Sequence, residues 1–401
     1  MADSPDVDVA IVGAGIVGLA TAAALLRRHR SMSVAVLDKE AGPAEHQSGH
    51  NSGVVHSGLY YTPGSAKALL VADGRSRLER YCLERDLPYD RCGKVVVSTS
   101  AEETVRLAEL ERRGIRNGVT TERVGARRLS QIEPHVRGDA ALFVADTAIT
   151  DFAAVTRSLA GDVAAGGGAL IMGTRVDRIE VRSGWGVRLH SDERSVSSRR
   201  FVNCAGLHSD RLARATGAGT GVSIVPFRGE YCELSASARS LVRNLIYPVP
   251  DPRWPFLGVH MTRRVDGSVH VGPNAVLSFG REAYDGGVVA RDLVALARDR
   301  GLWRLAGRYW RTGAEELARS RSHRLLLRDV RRLLPEVDAE DLVRSSAGIR
   351  AQALDRKGRL LDDFTFARSE HGVHVINAPS PAATASLAIA DRVVDELEQI
   401  G

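Results

Sequence analysis

The chain has 401 residues, 44% of them apolar and 26% charged, which is enough for two domains with large cores and excludes a disordered chain. No apolar run reaches the ~18 residues of a membrane span. The four cysteines, Cys82, Cys92, Cys204 and Cys232, form no C-x-x-C pair, which excludes a zinc or disulfide framework and suits a reducing compartment.

The formal charge of +6 is unevenly spread. Residues 291–332 hold twelve arginines against five acids, so the rest is near neutral. No nucleic-acid-binding module accompanies that charge, and a nucleic-acid partner is not expected. The acidic opening, Met1 to Asp6, does not read as a secretory leader, and a cytoplasmic protein is expected.

In chain order, the apolar run Val9 to Val12 passes into Gly13-Ala14-Gly15-Ile16-Val17-Gly18 and then an Ala/Leu-rich helix. That order is strand, tight turn, helix. Gly13 allows the turn, Gly15 lets a pyrophosphate approach the backbone, and Gly18 lets the helix pack against the strand. Phosphates suit the helix N-terminus, where unpaired N–H groups and the dipole favour negative charge. A second strand, Ser33 to Leu37, ends at Asp38, the acidic position a ribose hydroxyl requires. The motif leaves FAD and NAD open.

The loop from Glu40 to Tyr61 contains Gln47-Ser48-Gly49-His50-Asn51-Ser52-Gly53 and then His56-Ser57-Gly58-Leu59-Tyr60-Tyr61. Such residues do not build a core; they suit a backbone close to a ligand. Helices are expected at 65–86, 101–117 and about 152–166, and a strand at 94–99. Residues 169–202 read as strands with a turn at Ser183-Gly184, closing on Asn203-Cys204-Ala205-Gly206. Residues 223–290 are strand-rich and broken by prolines, which fits a mixed substrate-domain sheet. Residues 288–334 read as helical. Trp303, Tyr309 and Trp310 lie among the arginines there, a pattern that suits an anionic lipid surface as well as a solvated face. Short strands over 358–377 precede a last helix, with Ser380 as N-cap and Pro381 as its first residue. Its N-terminus can stabilise an anionic flavin ring.

These segments resemble the FAD-dependent oxidoreductases of the D-amino acid oxidase/glycerol-3-phosphate dehydrogenase superfamily. Within it, they resemble the L-2-hydroxyglutarate oxidase/dehydrogenase family. The resemblance is carried by GAGIVGLATA (13–22 with its lead-in), QSGHNSGVVHSGLYY (47–61), NCAGLHSDR (203–211), PFRGEY (226–231), LIYPVPDPRWPFLGVH (245–260), GPNA (272–275), GIRAQAL (348–354) and NAPSPAATASLAI (377–389). It implies an α/β fold with a Rossmann-like FAD domain, built from 1–90, 147–224 and 341–401, interleaved with a substrate domain from 91–146 and 225–340. It implies FAD contacts at Gly13, Gly15 and Gly18 (pyrophosphate), Asp38 and Lys39 (adenosine ribose), and Ser48, Asn51 and Ser52 (flavin and ribityl chain). Val176 would meet the adenine, Ala205 and Gly206 the ribityl side, and Pro381, Ala382, Ala383 and Thr384 the flavin pyrimidine.

The implied reaction is oxidation of L-2-hydroxyglutarate to 2-oxoglutarate, with hydride passing from the substrate α-carbon to flavin N5 and electrons on to oxygen or a membrane quinone. A related amino acid, amine or glycerol-3-phosphate oxidoreductase is the alternative. A 2-hydroxy diacid needs a base and two cationic anchors. His56, in a loop similar to the HxGLxY segment of glycerol-3-phosphate dehydrogenases, and His260, at a strand of the substrate domain, are the expected bases, with His260 preferred. Arg350 is the expected carboxylate anchor, since its fork matches a carboxylate. Lys67, Tyr61 and Arg321 are candidates for the second carboxylate; Arg228 is another, in a turn where a structural role serves as well. No metal site is expected.

Overall fold

The structure is a computed structural model describing residues 5–252, 257–272 and 274–400, without the side chains of 312, 314, 315 and 318–321. Two large sheets organise it. The first has eight strands. Its centre is Val7–Val12, flanked in parallel by Val34–Leu37 and Ser195–Asn203. Beyond Val34–Leu37 lies Ala169–Ile171, and beyond Ser195–Asn203 lies Gly372–Asn377, both parallel. Every residue of Val34–Leu37 and of Gly372–Asn377 is buried, as in strands covered on both faces, though the second includes the polar His374 and Asn377. Helix Ile16–Arg28 covers one face between helices Phe152–Ala165 and Ser386–Glu398. The four parallel strands ending at Val12, Leu37, Asn203 and Asn377 finish on one side of the sheet. Ligands bind off such carboxyl ends, where the chain leaves the sheet as loops.

The second sheet has nine strands. Its spine is a long antiparallel pair, Val222–Leu234 with Leu342–Asp355, in register from Val222 opposite Asp355 to Leu234 opposite Leu342, with a shift between Glu230 and Cys232. Strands His260–Arg263, Leu245–Pro248 and Lys94–Ser98 continue it. Residues 342–355, expected with the cofactor segments, have their backbone hydrogen-bonded along this second sheet.

Two further expectations are refined. The last helix begins at Ser386, with Ala385 as its N-cap, not at Pro381. Residues 379–385 form successive turns (Ala382 N–H to Pro379 O, Ala385 N–H to Pro381 O), and the Ser380 hydroxyl turns to His56 rather than to helix amides. The basic segment is three helices, Ala290–Ala297, Arg300–Arg321 and His323–Arg331, the second kinked at Tyr309. No helix among the described residues is long and apolar enough to cross a membrane.

Candidate active site

A cavity of about 1240 Å³ opens where the first sheet's carboxyl ends face the second sheet. At one end is the glycine turn. Gly13 has φ +115°, and its N–H donates to Leu37 O at 2.8 Å. A Cβ there would overlap the Cys204 carbonyl, and one at Gly18 would overlap the Gly13 carbonyl. Gly18 is therefore a packing glycine beneath the turn, not a lining residue. Gly15 faces the cavity as N-cap of Ile16–Arg28, and a Cβ would sit 3.2 Å from Ser48 Oγ. Ser48 Oγ in turn accepts the Ile16 N–H at 2.9 Å.

Asp38 lines the same end and braces the turn, accepting the N–H groups of Ala14 at 2.6 Å and Glu40 at 2.9 Å. Lys39 also lines the cavity, but its ammonium is committed: it pairs with Glu40 and with Glu282 at 2.9 Å, and meets His46 Nε2 at 2.8 Å. Glu40, His46 and Glu282 thus converge around a lysine. Against its own burial, hydrogen bonds from His208 and Lys39 hold the Glu282 carboxyl down at about 2. Val176, Ser52, Ala205 and Gly206 line the wall. Asn51 lines it too and fixes its loop, donating to Ser48 O at 2.7 Å and accepting the Gly53 N–H at 2.9 Å. Pro381, Ala382, Ala383 and Thr384 line the far side, and Thr384 Oγ1 accepts the His56 N–H at 3.1 Å. A glycine cradle that a Cβ would narrow, a helix start with no acid in its first turn, and a trough running on to Thr384 fit a dinucleotide.

A second set of titratable groups lines the same cavity. His56, His260, Tyr61, Lys67 and Arg350 all line it. His260 opens its strand in the second sheet, and Arg350 lies opposite Phe227 in the long pair. His260 Nδ1 lies 2.8 Å from Gly258 O. A carbonyl only accepts, so Nδ1 carries the proton and Nε2 keeps a lone pair. The ring stacks on Tyr247, centroids 4.1 Å apart. His56 Nε2 is 3.2 Å from Ser380 Oγ. Burial, then the charge of Arg350 and Lys94, lower His260 to about 4, although its bond to Gly258 opposes them. Burial, then Lys94, lower His56 to about 3. Both imidazoles are neutral near pH 7, as a base must be.

Lys67 is nearly buried; its Nζ pairs with Asp362 at 2.9 Å and lies 5.7 Å from the Tyr61 ring centre. Asp363 and Ser65 hold the start of its helix. Burial raises the Tyr61 hydroxyl well above its ordinary range. Arg228 is a correction. It lines a neighbouring cavity of about 510 Å³ instead, donating to Tyr284 O at 3.1 Å and pairing with Glu230 at 3.0 Å. The Arg321 side chain and residues 253–256 and Pro273 of the resemblance motifs lie outside the described residues.

Sequence reasoning missed Lys94, Tyr60 and Tyr247. Lys94 is 1% exposed, with Nζ 4.4 Å from the Tyr60 ring centre and 5.3 Å from that of Tyr247. The signal was available: one of only four lysines, it leads the apolar strand Lys94-Val95-Val96-Val97.

Comparison with known proteins gives consistent findings. The family model described as FAD dependent oxidoreductase matches residues 8–396. The L-2-hydroxyglutarate dehydrogenase of Indibacter alkaliphilus is 43% identical over 97% of this chain and 98% of its own length. The mitochondrial L-2-hydroxyglutarate dehydrogenase of Homo sapiens is 41% identical over 99% and 90%. Among solved structures, FAD-bound L-alpha-glycerophosphate oxidase from Mycoplasma pneumoniae shares the fold, with TM-score 0.80 at 21% identity, covering 98% of this chain and 94% of that one.

Proposed function

This chain belongs to the FAD-dependent oxidoreductase family, and from that premise we propose that it oxidises L-2-hydroxyglutarate to 2-oxoglutarate. The observation that carries this reading is the meeting of two neutral histidines with Lys67 and Arg350 in one cavity. A 2-hydroxy diacid asks for that set: one base, and cations for two carboxylates. Relatives named for this substrate, similar over nearly their full length, support it.

Bound FAD supplies the two-electron acceptor for the hydrogen on the hydroxyl-bearing carbon. In our reading the glycine turn, Asp38 and Ser48 hold its adenosine-diphosphate half, while Ala205, Gly206 and Ala382 to Thr384 hold the flavin half. His260 takes the hydroxyl proton at Nε2, with Nδ1 anchored on Gly258. His56 shapes the pocket through Thr384 and Ser380. Arg350 binds one carboxylate, and Lys67 with Tyr61 faces the other.

The reading extends to the acceptor and the location. Electrons pass to oxygen or to a membrane quinone, and the protein is cytoplasmic and attaches peripherally to the membrane. Supporting attachment, Trp303 and Trp310 are exposed, two helical turns apart, among exposed Arg298, Arg300, Arg304, Arg308 and Arg311. The deciding experiment is anaerobic mixing of the oxidised holoenzyme with L-2-hydroxyglutarate, its D-enantiomer, L-glutamate and glycerol 3-phosphate. Bleaching of the flavin by the first alone is expected. Bleaching only by an amine or glycerol phosphate overturns the assignment.

A further inference from the structure

Lys94 carries a charge problem that the roles above leave unsolved. It heads the strand Lys94–Ser98, all five residues buried. Leu245 lies opposite it and Tyr247 opposite Val96, so its stem runs along an apolar face. Among the described residues no carboxylate pairs with its ammonium. Its partners are the faces of Tyr60 and Tyr247. Such faces return about 0.5–2 kcal/mol, against several kcal/mol for removing an ammonium from water. A protein that needed only filler there would do better with an apolar side chain.

Both rings line the cavity on the side away from the core, and Tyr247 carries His260 stacked on it. Lys94 therefore sits one ring's thickness behind the wall. Tyr60 and Tyr247 lie beside it; its charge reaches His56, in the loop after Val54–Val55, and His260, and His56 also feels Lys67 of Ala66–Glu84 and Arg350 of Leu342–Asp355. Lys67 pairs with Asp362, itself almost fully exposed, and the carboxylates of Glu109 and Asp251 line the same cavity.

We propose that Lys94 is a positioning residue whose ammonium, held behind the Tyr60–Tyr247 wall, supplies buried positive charge that a dicarboxylate in the cavity completes. The inference rests on the substrate reading above. It has a consequence that a merely structural lysine lacks. Burial brings Lys94 down to about 7 in the ligand-free protein, so at pH 8 it is largely neutral. A dianion nearby restores the charged form, and binding then draws in a proton.

The test is calorimetric titration of the oxidised holoenzyme with 2-oxoglutarate, which cannot reduce the flavin, in buffers of differing ionisation enthalpy from pH 6 to 9. The expected result is uptake of up to about one proton per molecule bound near pH 8, fading below pH 6. Uptake by His56 or His260 would instead rise toward acid. In Lys94→Met the alkaline uptake should vanish and the dissociation constant rise about tenfold. Flavin spectrum and thermal midpoint check that this variant is folded. Wild-type binding without alkaline uptake overturns the inference, as does wild-type affinity and uptake in a folded Lys94→Met. Should that variant lose its flavin, the wild-type profile decides alone. If neither 2-oxoglutarate nor glutarate binds, the substrate reading falls with it; if they bind without uptake, only the role of Lys94 falls.

Discussion

At the scale of single residues, the two histidines differ in what fixes them. His260 is oriented by Gly258 O and by the Tyr247 ring, leaving Nε2 free to accept. His56 has its ring nitrogen on Ser380 and its backbone on Thr384, both lining the expected flavin pocket. His260→Ala should slow flavin reduction by about 10²–10⁴ with a smaller effect on substrate binding. His56→Ala should weaken flavin retention more than chemistry. Stopped-flow reduction of both variants decides; a wild-type rate in His260→Ala hands the role of base to His56. Because His260 is lowered to about 4, the base-competent form persists well below the ordinary histidine range. The acid limb of kcat/KM should therefore lie below about pH 6. Arg350→Ala should mainly raise the substrate dissociation constant, since it removes a charge-assisted pair from a site screened from water. His56, His260 and Arg350, which line the cavity, each sit in a short distinctive motif, whereas Lys67 lies outside them. Arg228 sat in one too and faces elsewhere: a motif reports a backbone path, whereas the direction of a side chain depends on strand register, which only the partner strand sets.

At the scale of elements, the strand–turn–helix at residues 7–28 was legible almost in full, because each glycine answers a local steric demand. Those demands make a sharp prediction. Gly15→Val should purify with little FAD, because the branched side chain enters the cavity beside Ser48. The flavin-to-protein absorbance ratio measures it, and a full complement of flavin would show that the phosphates bind elsewhere. Leu342–Asp355 was not legible as a spine: its neighbour, Val222–Leu234, lies over a hundred positions away in the sequence and contains Pro226. Helix Arg300–Arg321 carries the other prediction at this scale. Leu305 packs inward while Trp303 and Trp310 face out among arginines. The protein should sediment with anionic vesicles at low salt and be released at high salt, since screening shortens the reach of surface charge. No sedimentation at low salt, or none lost in a Trp303→Ser, Trp310→Ser double variant, would leave this a solvated face.

At the scale of the whole molecule, the chain's repeated return to the first sheet was foreseeable, because each return ends in a recognisable loop at Gly13, Asp38, Asn203 or Asn377. What could not be read was how deep the polar groups between the layers lie. His374 is an example: it reads as one polar residue in the strand Gly372–Asn377, yet it is fully buried. Its Nδ1 accepts from Asn203 at 3.2 Å, so Nε2 carries the proton toward Ser369 Oγ at 3.1 Å. Burial lowers it to about 4. His56 and His260 are lowered likewise, and burial also lowers His270, so these histidines fold in their neutral forms and contribute to the acid side of the stability profile. The unfolded chain binds a proton at each near pH 6.5, while the folded chain resists until about 3 or 4 at His56, His260 and His374. Their contribution is therefore complete above pH 6.5 and is lost as pH falls toward those folded values. The loss is on the order of 1.4 kcal/mol per pH unit for each histidine. The thermal midpoint of the holoenzyme should fall steeply between about pH 6.5 and 4.5. His374→Gln should lower the midpoint at pH 8, where its bonds to Asn203 and Ser369 are disturbed, yet make the acid decline shallower. Differential scanning calorimetry across that range measures both slopes, and an equal slope in the variant would mean that His374 takes up its proton in the folded protein.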